Sequence, residues 1–324
     1  MKSSTAALLL SAFLLAPSFV GCAHQGDSIV VTGEGRRLSS EAIDADPLAL
    51  LPSQPIAVAT LDAKALFASQ FGSQLSAYFA KNFPLGQEAG FVPERDLERI
   101  VAGAYSFSSL DGVAVLRGTF SHEQIVAAAE RNAITPLGVP LVRSRYAGND
   151  VFTAGNVGLT LLTPRTLLVG TETAMRRAMD RIRDDRLRRE VPAWIVQLLE
   201  TEKASLVAAG DLEGSTATAA IARELAFLDG VKNFRVLGNF DPPGINLAGA
   251  LTYPDAAAAG RGANLLQTVG QLSGVMNMFA FLGMSSPVRK LESRVVENDL
   301  QFVAALDAQS VTRLLAQNPG FRLR

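Results

Sequence analysis

The sequence predicts an α+β fold, built as two similar modules of antiparallel sheet covered by helices. Three observations predict it. Short apolar, β-branched runs are joined by brief turns holding Gly, Pro, Asn or Asp, which implies antiparallel pairing. Helical patterns follow the strand pairs and should cover a sheet face. The same order of elements is read twice along the chain.

Taken in order, residues 1–21 read as an export signal, with Lys2 at the start and the apolar run "AALLLSAFLL" behind it. That run is too short to span a bilayer. Residues 22–54 hold Gly, Ser, Asp, Glu and Pro with little periodic pattern and read as a flexible tether. "IAVATL", residues 56–61, is the first strand, and it runs into a helix. Residues 97–130 read strand, turn, strand, helix, with "SSLDG" as the turn. "VRSRYA" and "VFTAG" form a hairpin expected to turn at Gly148-Asn149-Asp150. "VGLTLLTPRTLLVGTETAMRRAMD" gives another strand, turn, strand, helix. The second half answers: "ASLVAAGD" from Ala204, then residues 231–264 turning at "DPPG", then "LESRVVENDLQFVAALDAQSVTRLLAQ". Module 1 is therefore expected over 55–190 and module 2 over 191–324, with "RDDRLRREVPAW" as the bridge. The match is architectural, an internal duplication without strong residue identity.

Composition narrows the function classes. A net charge of −1 gives no global pull towards nucleic acid. A hydrophobic content of 48% excludes disorder for the main body. The chain has one cysteine, so no intramolecular disulfide can form. No cofactor is expected, because neither a Walker loop nor a dinucleotide fingerprint is present. Zinc sites need several His or Cys ligands, and the supply is absent.

Catalytic candidates are few. His122 sits behind Ser121, a natural N-cap with Gln124 at the capping-box position, so it reads as an exposed first-turn residue. Asp62, Asp211, Asp255 and Asp307 could pair as acid and base. Each follows a strand and precedes a helical segment, which is where N-caps belong. A carboxylate-only hydrolase would need two of them in one cleft. Residues 175–190 carry seven arginines among four acids, with Met175, Met179 and Ile182 on one helical face and the arginines mostly on the other. That is a solvated, ion-paired face or a patch for anionic lipid or cell-wall polymer. "LLQTVGQLSGVMNMFAFLGM", residues 265–284, reads as a helix over the second sheet, or as one wall of a groove in a periplasmic carrier or chaperone for an apolar ligand.

Two N-terminal stretches resemble known families. "PSFVGC" places Gly21 before Cys22 and resembles the lipobox of bacterial lipoproteins, Phe19 standing where that family usually has Leu. The resemblance implies cleavage before Cys22, acylation of Cys22 and a membrane contact through that lipid anchor. By the enteric pattern, Ala23 rather than Asp implies the outer membrane, with the periplasmic face preferred over the surface. Acylation would also remove a free thiol from an exposed tail. "SIVVTGEGRR" resembles the TonB box of outer-membrane transporters through Ile29, Val30, Val31, Thr32 and Gly33. That implies docking of a TonB-type protein by strand addition, which needs an extended β-prone segment with a free backbone. Read from residue types alone, the same five also suit an edge strand of the protein's own sheet. The resulting expectation is a non-enzymatic outer-membrane lipoprotein that works by binding an envelope component.

Overall fold

The computed structural model describes residues 39–106, 111–201, 204–213, 225–278 and 286–317. Its centre is a strand pair that joins the two halves of the sequence. β1 (Ala57–Asp62) lies antiparallel to β8 (Leu206–Asp211), with Val58 opposite Ala209 and Thr60 opposite Val207. Outward from β1 run β2 (Leu97–Ser106), β3 (Asp111–Gly118), β7 (Thr166–Thr171) and β6 (Val157–Thr163). Outward from β8 run β9 (Asn233–Asn239), β10 (Gly244–Thr252), β12 (Asp299–Asp307) and β11 (Val288–Val296). The order is the same in both halves: first strand, second, third, then the last hairpin entered by its second strand. The first half adds the hairpin of β5 (Asn149–Ala154) and β4 (Val142–Tyr146) at its edge. The outcome is one continuous sheet of 12 strands, antiparallel throughout.

The β4–β5 hairpin turns one residue earlier than the sequence suggested. Ala147 (φ 50°) and Gly148 (φ 78°) form the two-residue loop, and Tyr146 pairs with Asn149. Two successive positive φ angles match the right-handed strand twist, and Gly148 takes its share without steric cost.

Helices are started by residues that end or closely follow strands. Asp62 Oδ1 accepts from Ala65 N at 2.9 Å, Thr171 Oγ1 from Ala174 N at 3.2 Å, Asp255 Oδ1 from Ala258 N at 2.7 Å and Asp307 Oδ2 from Ser310 N at 2.9 Å. Each bond satisfies an open first-turn amide and fixes where the chain leaves the sheet.

Paired residues place Val58, Thr60, Val101, Val113, Val115 and Leu168 on one sheet face. Helices Glu172–Arg183 and Ala193–Thr201 bury Met175, Met179, Ile182, Ile195 and Leu199 against it. The opposite face is covered by helix His122–Glu130 in the first half and by helix Ala256–Met278 in the second, on Leu251 and Leu300. Helix Ala308–Gln317 is the second-half counterpart of helix Glu172–Arg183, yet it packs on the other face. It buries Val311 with Leu75, Ile245 and Leu306, against the helix Gly72–Asn82 of the first half. So the first half is covered on both faces. In the second half Val296 and Val303 remain 44% and 45% exposed.

The expected tether is shorter than its composition suggested. Residues 39–54 belong to the body. Ser39 caps helix Ser40–Ala45, accepting from Ala42 N at 3.2 Å, and Asp46 caps the 3-10 turn Pro47–Leu50, accepting from Leu48 N at 3.1 Å. Ile43, Leu48, Leu50 and Leu51 then enter the core beneath helices Glu172–Arg183 and Ala193–Thr201. The apolar run Leu48-Ala49-Leu50-Leu51 outweighs the polar flanks, because burying a Leu side chain is worth roughly 1.5–3 kcal/mol.

Candidate functional site

Cys22 and the segment Ile29, Val30, Val31, Thr32, Gly33 lie outside the described residues. What the structure defines is the point where that N-terminal stretch joins the body. Helix Ser40–Ala45 is held there by one carboxylate. Asp44 Oδ1 accepts from Thr163 Oγ1 at 2.7 Å, from Thr166 Oγ1 at 2.5 Å and from Arg117 Nη1 at 3.1 Å. These partners sit on β6, β7 and β3, so a single side chain ties the chain entry to three strands. Burial pushes the Asp44 carboxyl up, but the Thr166 and Thr163 hydrogen bonds and the charges of Arg117 and Arg165 outweigh it, and the group is held below its ordinary value. A second tie is made by Arg189, which donates to Asp46 at 2.6 Å and to Glu200 at 2.5 Å.

Asp62, Asp255 and Asp307 are helix caps, and Asp62, Asp211 and Asp307 stand well apart. Asp62 lies at one end of the sheet, where its N–H donates to Ser205 O. Asp211 lies at the other end of the neighbouring strand, six residues along from Ser205, which faces Asp62. At about 3.3 Å per residue that separates their backbones by roughly 20 Å. Asp307 shares the Asp62 end but stands four strands away, roughly 19 Å at about 4.8 Å per strand. Asp211 Oδ1 accepts from Glu213 N at 3.1 Å.

His122 occupies the first turn of helix His122–Glu130, with Ser121 accepting from Gln124 N at 3.3 Å. Its ring is half-exposed, and Nε2 lies 3.3 Å from Asp150 Oδ2. That carboxylate also takes Arg143 Nη2 at 2.7 Å and has Arg145 Nε at 3.5 Å. Burial raises the Asp150 carboxyl, but the Arg143 hydrogen bond and charge, the His122 hydrogen bond and the Arg145 charge outweigh it and hold the group below its ordinary value. The cluster joins the helix to the β4–β5 hairpin. Sequence reading missed it because His122 and Arg143 are distant in the chain and nothing local links them.

The arginine run is neutralised partner by partner. Arg176 pairs with Glu172, Arg177 with Asp111, Arg183 with Asp180 and Asp184, Arg186 with Asp184, Arg188 with Glu190, and Arg189 with Asp46 and Glu200. Arg181 departs from the expected solvent face. It is 5% exposed, sits among the apolar residues, and is matched by Glu190 at 2.9 Å and by Arg188 O at 2.7 Å. Arg177 and Arg176 also lie over the rings of Tyr105 and Tyr146 at 4.4 and 4.9 Å. Arg181 apart, the run is a partly exposed, ion-paired face whose field is cancelled locally.

The glycine- and methionine-bearing stretch is described as far as Met278, inside helix Ala256–Met278. Leu266 and Ser273 are buried, while Leu265 and Leu272 are 42% and 61% exposed. Among the described residues no group of three or more His, Cys, Asp or Glu could hold a metal, and no helix is long and apolar enough to cross a membrane.

No family model matches the chain, and no curated protein is similar to it. Solved structures of TP0453 share its fold. Crystal form I superposes with a TM-score of 0.53 at 8% identity, covering 84% of this chain and 97% of that one. Form III gives 0.52 at 10%, over 84% and 98%, and form IV gives 0.53 at 9%, over 86% and 100%. The likeness extends over nearly all of TP0453, and at such identities it establishes the fold alone.

Proposed function

We propose that this chain is a lipoprotein of the bacterial envelope, anchored in the outer membrane through acylated Cys22, and that it works by binding. Its tether presents Ile29, Val30, Val31, Thr32 and Gly33 to a TonB-type protein of the periplasm. The observation that carries this reading is how close to Cys22 the body is already held. Asp44 ties helix Ser40–Ala45, capped by Ser39, to β3, β6 and β7. At most sixteen residues, 23–38, lie between Cys22 and that point. The strand-forming segment begins seven residues after Cys22 and ends six before Ser39. At most about 3.3–3.6 Å per residue, its first residue stands within roughly 25 Å of the anchor. Several acyl chains, each contributing about 0.8 kcal/mol per buried CH₂, hold such a protein at the bilayer stably.

Strand addition supplies the docking chemistry. The partner's sheet edge would bond to the backbone of residues 29–33, and the β-branched side chains favour the extended form it needs. Proline at Val30 removes one N–H and fixes φ, so Val30→Pro is expected to abolish capture of the protein by an immobilised periplasmic TonB domain. The measurement is a pulldown of detergent-solubilised wild type and variant. Equal recovery of the two would remove TonB docking and leave the anchored binding protein without this partner.

A further inference from the structure

Among the described residues the 12-stranded sheet ends at β4 on one side and β11 on the other, and the two edges are built differently. β4, at one edge, carries Arg143 and Arg145 either side of Ser144. Any antiparallel self-pairing centred on residues 143–145 sets arginine against arginine, so this edge repels its own copy. β11, at the other edge, reads Val-Arg-Lys-Leu-Glu-Ser-Arg-Val-Val from Val288 to Val296.

We propose that β11 is a homodimer interface, in which two copies pair antiparallel about a two-fold axis at Ser293 and continue the sheet from one molecule into the other. The backbone allows it. Glu297 and Asn298 form a two-residue turn, with Val296 opposite Asp299. That makes Val296 and Asp299 the hydrogen-bonded pair closing the hairpin. Alternation then turns the N–H and C=O of Leu291, Ser293 and Val295 away from β12, towards the open edge. Two-fold symmetry requires the axis to fall on a residue, because only such registers set outward groups against outward groups.

Side chains choose among those registers. Centring on Glu292 opposes Glu292 to itself and Lys290 to Arg294, and centring on Arg294 opposes two arginines. Centring on Lys290 opposes two lysines. The register at Ser293 sets Glu292 against Arg294 and Leu291 against Val295, each twice by symmetry, and Lys290 against Val296. Opposite charges directly across strands stabilise a pair and like charges destabilise it. A register at Leu291 keeps the Lys290–Glu292 match but leaves Val295 and Val296 unpaired.

The covering helix fits the same arrangement. Helix Ala256–Met278 follows β10 and closes on Leu291 at Gly270, where an added Cβ would stand 3.5 Å from Leu291 Cδ2. Val295, on the same sheet face, remains 39% exposed. In the Ser293 register, the uncovered Val295 of each copy lies beside the covered Leu291 of the other.

Cysteine substitution reads the register directly. Hydrogen-bonded antiparallel partners have Cα atoms about 5.5 Å apart, within disulfide range. In membranes from expressing cells, mild oxidation of the full chain carrying Ser293→Cys is expected to give a cross-linked dimer that the parent chain, whose one cysteine is Cys22, does not form. Glu292→Cys alone should stay uncross-linked, and Glu292→Cys co-expressed with Arg294→Cys should cross-link. Sedimentation of the detergent-solubilised protein gives the second readout. Arg294→Glu should weaken dimerisation by about tenfold or more, and Glu292→Arg with Arg294→Glu should restore it. A Ser293→Cys chain that remains monomeric, a Glu292→Cys chain that cross-links equally well, or a double variant no better than the single one would each overturn the proposal.

Discussion

Leu50→Ala and Leu51→Ala are each expected to destabilise the body by about 2–5 kcal/mol, although both residues lie in a stretch whose composition reads as linker. Each side chain is completely buried. Each contacts the layer made by Val58, Val115, Ile195 and Leu199, which also contains the joint between the two halves. Truncation removes the transfer energy of the lost methyls and leaves a cavity that a β-sheet on one side and two helices on the other cannot collapse to fill. Native domains hold only about 5–15 kcal/mol in total, so the double variant should populate the unfolded state under native conditions. Urea denaturation followed by circular dichroism measures both singles. Values near zero would mean that residues 39–51 lie loosely on the body and that the tether extends to the first strand.

Asp44→Ala is the second large effect, at about 2–3 kcal/mol, because it leaves Arg117 and the hydroxyls of Thr163 and Thr166 without their shared acceptor in a partly buried site. The dependence on pH has a definite sign. Asp44 has a lowered folded-state pKa, so its contribution is fully present above the ordinary carboxylate value near 3.8 and is lost as pH falls through the folded value. Wild type should therefore lose stability below about pH 4 more steeply than Asp44→Asn, which has no such proton to take up. Denaturation midpoints across that range test it, and parallel acid branches for the two proteins would show that the clasp contributes nothing.

The parts of the fold legible in the sequence were those decided locally. The pairs β2–β3, β6–β7, β9–β10 and β11–β12 are each joined by a short breaker-rich connection, and alternation within them is enough to recognise strands. The aspartates that end β1 and β12 and follow β10 were readable as caps for the same reason. What could not be read is set by distance in the chain. Nothing near Leu61 announces that β1 will pair with β8, some 145 residues later, and so make one sheet of two modules. Asp44 finds Thr163 and Thr166 across 119 and 122 residues. The helix it sits on has six residues, too few for periodicity to register. Helical spacing sets the face of Met175, Met179 and Ile182 but is silent on Arg181, whose burial depends on the distant ion pair with Glu190. Helix Ala308–Gln317 shows the same limit, since an architectural repeat predicts that a helix follows β12 and is silent on which side of the sheet it takes. Cys22 and residues 29–33 are legible only as motifs, and they lie outside the described residues.

Everything proposed for function depends on acyl chains at the first mature residue. Mass spectrometry of the N-terminal peptide from membrane-extracted protein tests this most directly. The expected result is a chain beginning at Cys22 with a diacylglyceryl thioether and an acylated amino group, recovered with the outer membrane. An unmodified amino terminus, from protein found in the soluble fraction, would contradict it.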